Sequence, residues 1–247
     1  MDFLSQILEY KTEQIKILKK RRSEASLRDE AEQQPLERRP FVRALDGGDP
    51  ETVHIIAEIK RASPSKGFIR PDLDPAAFAQ AYARGGASAI SVLTEDHWFK
   101  GRMNDLADAR AATPLPVLRK DFILSSYQIF ESAAMGADAV LLIVRILSET
   151  QLKDFLDLCA AFHMDALVEI HTPEDARKIK DISARLIGIN NRNLRSFDTD
   201  IRRAWELAAG LRPDQIPVAA SGISSPTDVQ HSKASGIRHF LDRKSVV

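Results

Sequence analysis

Only one of the 247 residues is a cysteine, Cys159. That excludes a disulfide framework within the chain. The residue lies in KDFLDLCAAFHM, on an apparent helix face, and reads as a packed core thiol. Net charge is also missing: 35 basic residues balance 35 acidic ones, and the pI is near 7.0. A neutral chain lacks the electrostatic footprint of a nucleic-acid or anionic-membrane binder. The longest apolar run, AVLLIV at 139–144, is far shorter than the ~20 residues that span a bilayer. The opening MDFLSQILEYKTEQ has no basic-then-apolar signal layout, so a cytoplasmic setting is expected. The six histidines show no paired ligand spacing, which predicts no metal site. No GxGxxG opens a helix after the first strand, and no GxSxG elbow is present.

What the chain does have is a cadence. Residues 1–30 carry apolar positions at helical spacing, with the basic run KKRR at 19–22 read as a solvated face. Residues 31–52 are polar and rich in proline and glycine, and read as a linker. Strand-like runs then follow: VHIIAEIK, ASAISVL, LPVLRKD, DAVLLIV, DALVEIH, ARLIGIN, IPVAASG and IRHFL. Helical patterns with start signals separate them. Asp74-Pro75, Thr172-Pro173 and Ser225-Pro226 place a cap before a proline, and Ser148 with Gln151 forms a capping box. The joints RGGASAISV, AMGADAVLL and ASGIRHFL each close a helix on glycine and start a strand at once. Several strands are apolar on both faces, as in a parallel sheet covered by helices. Eight such units predict an α/β protein: a (β/α)₈ barrel over 51–247 with a helical extension and linker over 1–50, forming one domain. After the last strand only DRKSVV remains, so the final helix is expected to be missing, exposing apolar wall and lowering solubility.

Alternate strand residues of a barrel point inward, and active groups gather at the strands' carboxyl ends. Ile56, Glu58 and Lys60 share a face, as do Leu118 and Lys120, Leu167 and Glu169, and Leu186, Gly188 and Asn190, with Arg192 just beyond. A buried Glu–Lys pair can be a purely structural ion pair. Four strands passing from apolar to ionisable or amide residues at one end point instead to a site in the mouth. Asp121 reads either as a solvated loop residue or as a partner for a neighbouring lysine. Ser63-Pro64-Ser65 after the first strand, Arg192 after the sixth and SGISS at 221–225 after the seventh supply candidate phosphate contacts.

These residues together resemble indole-3-glycerol-phosphate synthase, the ring-closing family of tryptophan biosynthesis. The segments that carry the resemblance are IIAEIKRASPSKG, SVLTEDHWFKG, PVLRKDFI, GADAVLLIVRIL, ALVEIH, LIGINNRNL and SGI, in order over 53–223. The resemblance implies a helical extension that covers the barrel mouth. It implies ring closure of 1-(2-carboxyphenylamino)-1-deoxyribulose 5-phosphate, with loss of carbon dioxide and water and without a cofactor. Lys120 matches the family's general acid, Lys60 the lysine that contacts the substrate carboxylate, and Glu169 the general base of dehydration. Glu58 and Asn190 would orient them. Ser63, Arg192, Ser221 and Gly222 match phosphate-contacting positions. Phe99 would pack on the anthranilate ring, or simply anchor its loop. The expected partner is a small phosphorylated substrate, with no nucleic acid and no membrane.

Two departures stand out. The family's seventh strand usually ends Glu-Ser-Gly, whereas Ala220-Ser221-Gly222 stands here. Its eighth usually runs from Phe-Leu into a hydrophobic residue and Gly, whereas Phe240-Leu241 runs into Asp242-Arg243-Lys244. A one-nucleotide insertion after the codon for Leu241 would account for the second, and sequencing the coding DNA tests it. Two other readings of the chain are a Schiff-base aldolase using Lys120 or Lys60 as the amine, and an impaired barrel kept as a binding partner of another tryptophan-pathway protein.

Overall fold

The computed structural model describes residues 2–33, 37–47, 49, 51–192, 198–223 and 225–242. Three helices come first: α1 (Phe3–Arg21), α2 (Glu24–Gln33) and α3 (Phe41–Leu45). Strand β1 (His54–Ile59) opens the barrel, and a small hairpin of β2 (Ala62–Ser63) and β3 (Gly67–Phe68) sits beyond its carboxyl end. Helix and strand then alternate. The order is α4 (Pro75–Arg84), β4 (Ala89–Leu93), α5 (Met103–Ala112), β5 (Val117–Lys120), α6 (Ser126–Ala134) and β6 (Ala139–Ile143). It continues through α7 (Glu149–Ala161), β7 (Asp165–Ile170), α8 (Pro173–Lys178), β8 (Leu186–Asn190), α9 (Arg202–Ala208), β9 (Ile216–Ala220), α10 (Pro226–Ala234) and β10 (His239–Asp242). The strands β1, β4–β10 pair in parallel around a closed barrel, with β10 returning to β1.

The start signals work as the sequence predicts. The Asp74 side chain accepts from the backbone N–H groups of Ala76 and Ala77, and Ser148, Thr172 and Ser225 each close a capping box. Gly86, Gly136 and Gly236 stand at φ +85°, +83° and +79°, the left-handed turn that stops a helix and frees the chain to re-enter the sheet. Cys159 is buried, and burial pushes its thiol up to about 12, so it stays a core hydrophobe.

Apolar side chains separate into two layers. One lies between sheet and helices, with Val92, Val140, Val168, Ile187 and Phe240 pointing outward from their strands. The other fills the barrel, with Ile56, Leu118, Leu141, Leu167 and Leu241. The parity of each strand therefore puts Glu58, Lys120 and Glu169 on the inward row, above the apolar filling.

Two expectations for the first 52 residues are corrected. The opening helical stretch is two helices, broken at Arg22 and Ser23. Residues 31–52 are not a plain linker: α2 runs to Gln33, and α3 plugs the amino-terminal end of the barrel. Phe41 and Leu45, both buried, pack against Ile56, Ala89 and Leu186. The Val42 N–H donates to Asp165 at 2.9 Å, and His239 Nε2 lies 2.9 Å from the Leu45 carbonyl. Five residues behind a proline are too few to display a period, which is why the plug was invisible. The residues Arg243 to Val247, and with them the fate of the last helix, lie outside the described residues, as does Ser224.

Gly101 closes the loop after β4, its N–H donating to the Glu95 carbonyl at 2.7 Å. A Cβ there would overlap the Leu93 carbonyl oxygen and come within 2.9 Å of Thr94 Cα, and backbone cannot give way. Gly101→Ala should cost roughly 1–3 kcal/mol, lowering the thermal midpoint by roughly 2–12 °C. An unchanged midpoint in a melting experiment would refute the close approach.

Candidate active site

At the carboxyl end of β1 the Glu58 carboxylate is almost fully buried between two ammonium groups. One oxygen accepts from Lys60, and the other accepts from Lys120 Nζ at 3.0 Å. Burial alone would raise the Glu58 pKa. The charges of Lys120 and Lys60 outweigh it and hold the carboxyl down at about 2. The same contact works in reverse on Lys120: burial disfavours its charge, but Glu58 and then Glu169 reverse the effect and raise its pKa. Lys120 is therefore an ammonium ion at neutral pH, able to donate a proton and unable to act as a free amine without first losing one.

Glu169 and Asn190, at the ends of the neighbouring strands β7 and β8, sit side by side at the mouth, with Asn190 Nδ2 donating to Glu169 Oε1 at 3.2 Å. Beyond β8 the Arg192 N–H donates to Asn190 Oδ1 at 3.0 Å, and its guanidinium reaches Ser65 Oγ at 3.4 Å. That contact joins the loop after β8 to the hairpin that carries Ser63. After β9, Ser221 and Gly222 both adopt positive φ, and Asn191 Nδ2 holds the Ser221 carbonyl at 2.9 Å. Hydroxyls, backbone and a guanidinium are thus gathered on one side of the mouth. Phe99, in the loop after β4, has its ring 6.5 Å from Phe122, and its carbonyl accepts from the Ala62 N–H at 3.1 Å, beside the Ser63 hairpin.

All ten residues singled out in the sequence line one cavity of ≈ 430 Å³ at the carboxyl ends of the strands. Phe3, Leu4 and Ile7 of α1 roof it. Leu241, paired with the buried Ala220, makes an apolar part of the wall, and Asp242 adds a carboxylate to the rim. Among the described residues, no group of three or more His, Cys, Asp or Glu side chains is placed to hold a metal ion. Among the described residues, too, no helix is long and apolar enough to cross a membrane.

Three supports of the site escaped the sequence reading. Lys11 of α1 is buried against Asp121, Nζ to Oδ1 at 2.9 Å, so the roof is bolted to the residue after Lys120. Asp121 is thus neither a loop carboxylate in water nor idle: Thr94 donates to it at 2.8 Å and Arg119 at 3.3 Å. Glu95, fully buried, accepts from the backbone N–H groups of His97, Trp98 and Phe99 and so folds the Phe99 loop. Arg61, beside Lys60, pairs with Asp105 of α5 and donates to the Leu73 carbonyl at 3.1 Å. Of these only Glu95 leaves a local trace, an acid just before the N–H groups of its own loop.

Residues 4–246 match the indole-3-glycerol phosphate synthase family. Curated relatives include an indole-3-glycerol phosphate synthase of Desulfosudis oleivorans, 52% identical over 251 aligned positions, covering 100% of this chain and 94% of that protein. Another, from Syntrophobacter fumaroxidans, is 48% identical over 246, covering 100% and 92%. Among solved structures, the N-acetylmannosamine-6-phosphate 2-epimerase of Clostridium perfringens superposes with a TM-score of 0.60 at 14% identity, covering 79% of this chain and 87% of that one. At that identity the likeness extends to the barrel alone.

Proposed function

The chain belongs to the indole-3-glycerol phosphate synthase family, and we propose that Lys120, Glu169, Lys60, Glu58 and Asn190 carry its reaction. It is a carbon–carbon lyase of tryptophan biosynthesis. It closes the indole ring of 1-(2-carboxyphenylamino)-1-deoxyribulose 5-phosphate, releasing carbon dioxide and water. The observation that carries the assignment is the Glu58 carboxylate shared by two ammonium groups at the barrel mouth, facing Glu169.

The aryl carbon that bears the carboxylate attacks the ketone, and the ketone oxygen must gain a proton as the new bond forms. Lys120 supplies that proton; Glu58 holds its ammonium in place. Lys60 lies on the other side of Glu58 and balances the substrate carboxylate until it leaves as carbon dioxide. The hydroxyl so created takes a proton from the lysine ammonium pair around Glu58 and departs as water while Glu169 takes a proton from the neighbouring carbon. Asn190 fixes that carboxylate. Ser63, Arg192, Ser221 and Gly222 hold the phosphate, and Phe99 packs on the aromatic ring. We place the reaction in the cytoplasm, in a single domain that includes the helices before β1.

Turnover of the carboxyphenylamino substrate by the purified chain, followed by indole fluorescence, tests the function directly. Glu169→Gln tests the order of events. Indole formation should fall by about 10²–10⁴-fold, while a first turnover of carbon dioxide is still released. Equal loss of both products would remove Glu169 from the dehydration step.

A further inference from the structure

A groove of ≈ 930 Å³ runs down the outside of the barrel along α8 and α9, from Arg192 at the mouth to Gln215 before β9. The chain is neutral overall, yet six cations line this groove: Arg145, Arg177, Lys180, Arg192, Arg203 and Arg212. Only two carboxylates join them, Asp2 and Glu206. The side chains of Arg177, Lys180 and Arg203 make no hydrogen bond or ion pair among the described residues. Such local segregation of one charge in a neutral chain is the footprint of an anionic ligand.

The lining also includes His171, 3% exposed, the residue after β7. Both ring nitrogens are buried and neither has a hydrogen-bond partner. An imidazole left in that state costs free energy that a ligand could recover. Nε2 lies 3.7 Å from Glu169 Oε1. The charged groups facing the ring are Glu169 of β7, Arg145 after β6, Asp175 of α8 and Arg203 of α9. Burial, the largest influence, pushes the imidazole below its ordinary pKa and keeps it neutral near pH 7.

We propose that this groove is a second binding site, for a small polyanion bearing phosphate or several carboxylates, and that His171 relays its occupancy to Glu169. The binding stands on the groove alone; the relay rests also on Glu169 being the base of dehydration. An anion over the ring lets the imidazole take up a proton from solvent. One N–H then serves the ligand, and the other turns to Glu169. A carboxylate engaged in that way is a weaker base, so the anion inhibits, and more strongly at pH 6 than at pH 8.

Pyrophosphate and citrate, titrated calorimetrically into the full chain with indole-3-glycerol phosphate saturating the mouth, separate the two ligand chemistries. The tighter probe should bind at one equivalent, with affinity rising as pH falls. The exposed charge reversals Arg177→Glu and Lys180→Glu together should weaken it by at least about tenfold and leave uninhibited kcat unchanged. His171→Gln should still bind the probe while its kcat no longer responds. No heat from either probe, competition with the product, or equal binding by the reversed variant would overturn the site. Undiminished inhibition in His171→Gln would overturn the relay, and full activity of Glu169→Gln without probe would overturn the reading on which it rests.

Discussion

Replacing Lys120 by alanine should lower kcat by about 10²–10⁴-fold and change KM far less. In the proposed role the ammonium would donate at the ketone oxygen in the transition state, where its hydrogen bond to Glu58 holds it. The effect has a second, electrostatic source. Glu58 is balanced by Lys120 and Lys60 together, and it is their combined charge that overcomes its burial. Without Lys120 the carboxyl titrates higher, and Lys60 alone satisfies it. The pH dependence follows with its sign. In the native chain the Glu58 carboxyl is held near 2, below its ordinary 4.5, so its contribution to stability is complete above pH ~4.5 and is lost as pH falls toward 2. In Lys120→Ala that loss should begin at higher pH, visible as earlier acid unfolding by circular dichroism. Wild-type turnover by the variant would remove Lys120 from the acid role. Borohydride trapping with a phosphorylated ketose addresses the imine alternative. The raised pKa of Lys120 keeps it protonated and opposes nucleophilic attack, so no adduct is expected.

The barrel and its mouth were readable because both follow from parity. In β1, β5, β7 and β8 the inward row passes from apolar to ionisable or amide at one end, and a period of two needs only a few residues to show. Pairs such as Ser148 with Gln151 and joints such as Ala134–Ala139 are equally local. What stayed hidden depends on residues far apart in the chain. Lys11 and Asp121 are 110 positions apart, and nothing near either one announces the other. Lys11 even lies within a helix otherwise studded with exposed charges, where a buried lysine looks like its neighbours. The plug formed by α3 was hidden for the opposite reason: its apolar residues are too few, and its prolines and glycines imitate a tether. The absent Glu at position 220 was visible in the sequence, and the structure adds its consequence, an apolar wall of Ala220 beside Leu241 in register with Asn190.

Asp121→Asn should be the most destabilising conservative change near the mouth. The side chains of Lys11, Arg119 and Asp121 are each no more than 3% exposed. Water cannot replace the lost charge. Arg119 keeps Glu131 at 2.8 Å, but Lys11 is left with the neutral Gln14 amide oxygen at 3.0 Å and with Asp96 at 3.9 Å, a carboxylate that is 43% exposed. Breaking a buried pair from one side costs about 3–5 kcal/mol, or roughly 6–20 °C in thermal midpoint for a chain of this size. The penalty comes from the stranded ammonium, so removing it should recover stability. Lys11→Met in the Asp121→Asn background is expected to be more stable than Asp121→Asn alone, whereas Lys11→Met in the native background strands Asp121 only partly, since Arg119 and Thr94 still serve it. Activity gives an independent reading. The Lys11–Asp121 bond fastens the helix that carries Phe3, Leu4 and Ile7 over the cavity. Weakening it should raise KM at temperatures well below the melting transition, as the roof lifts and water enters. If the single and double variants melt together, with KM unmoved, the contact is neither a buried charge pair of consequence nor the fastening of the roof.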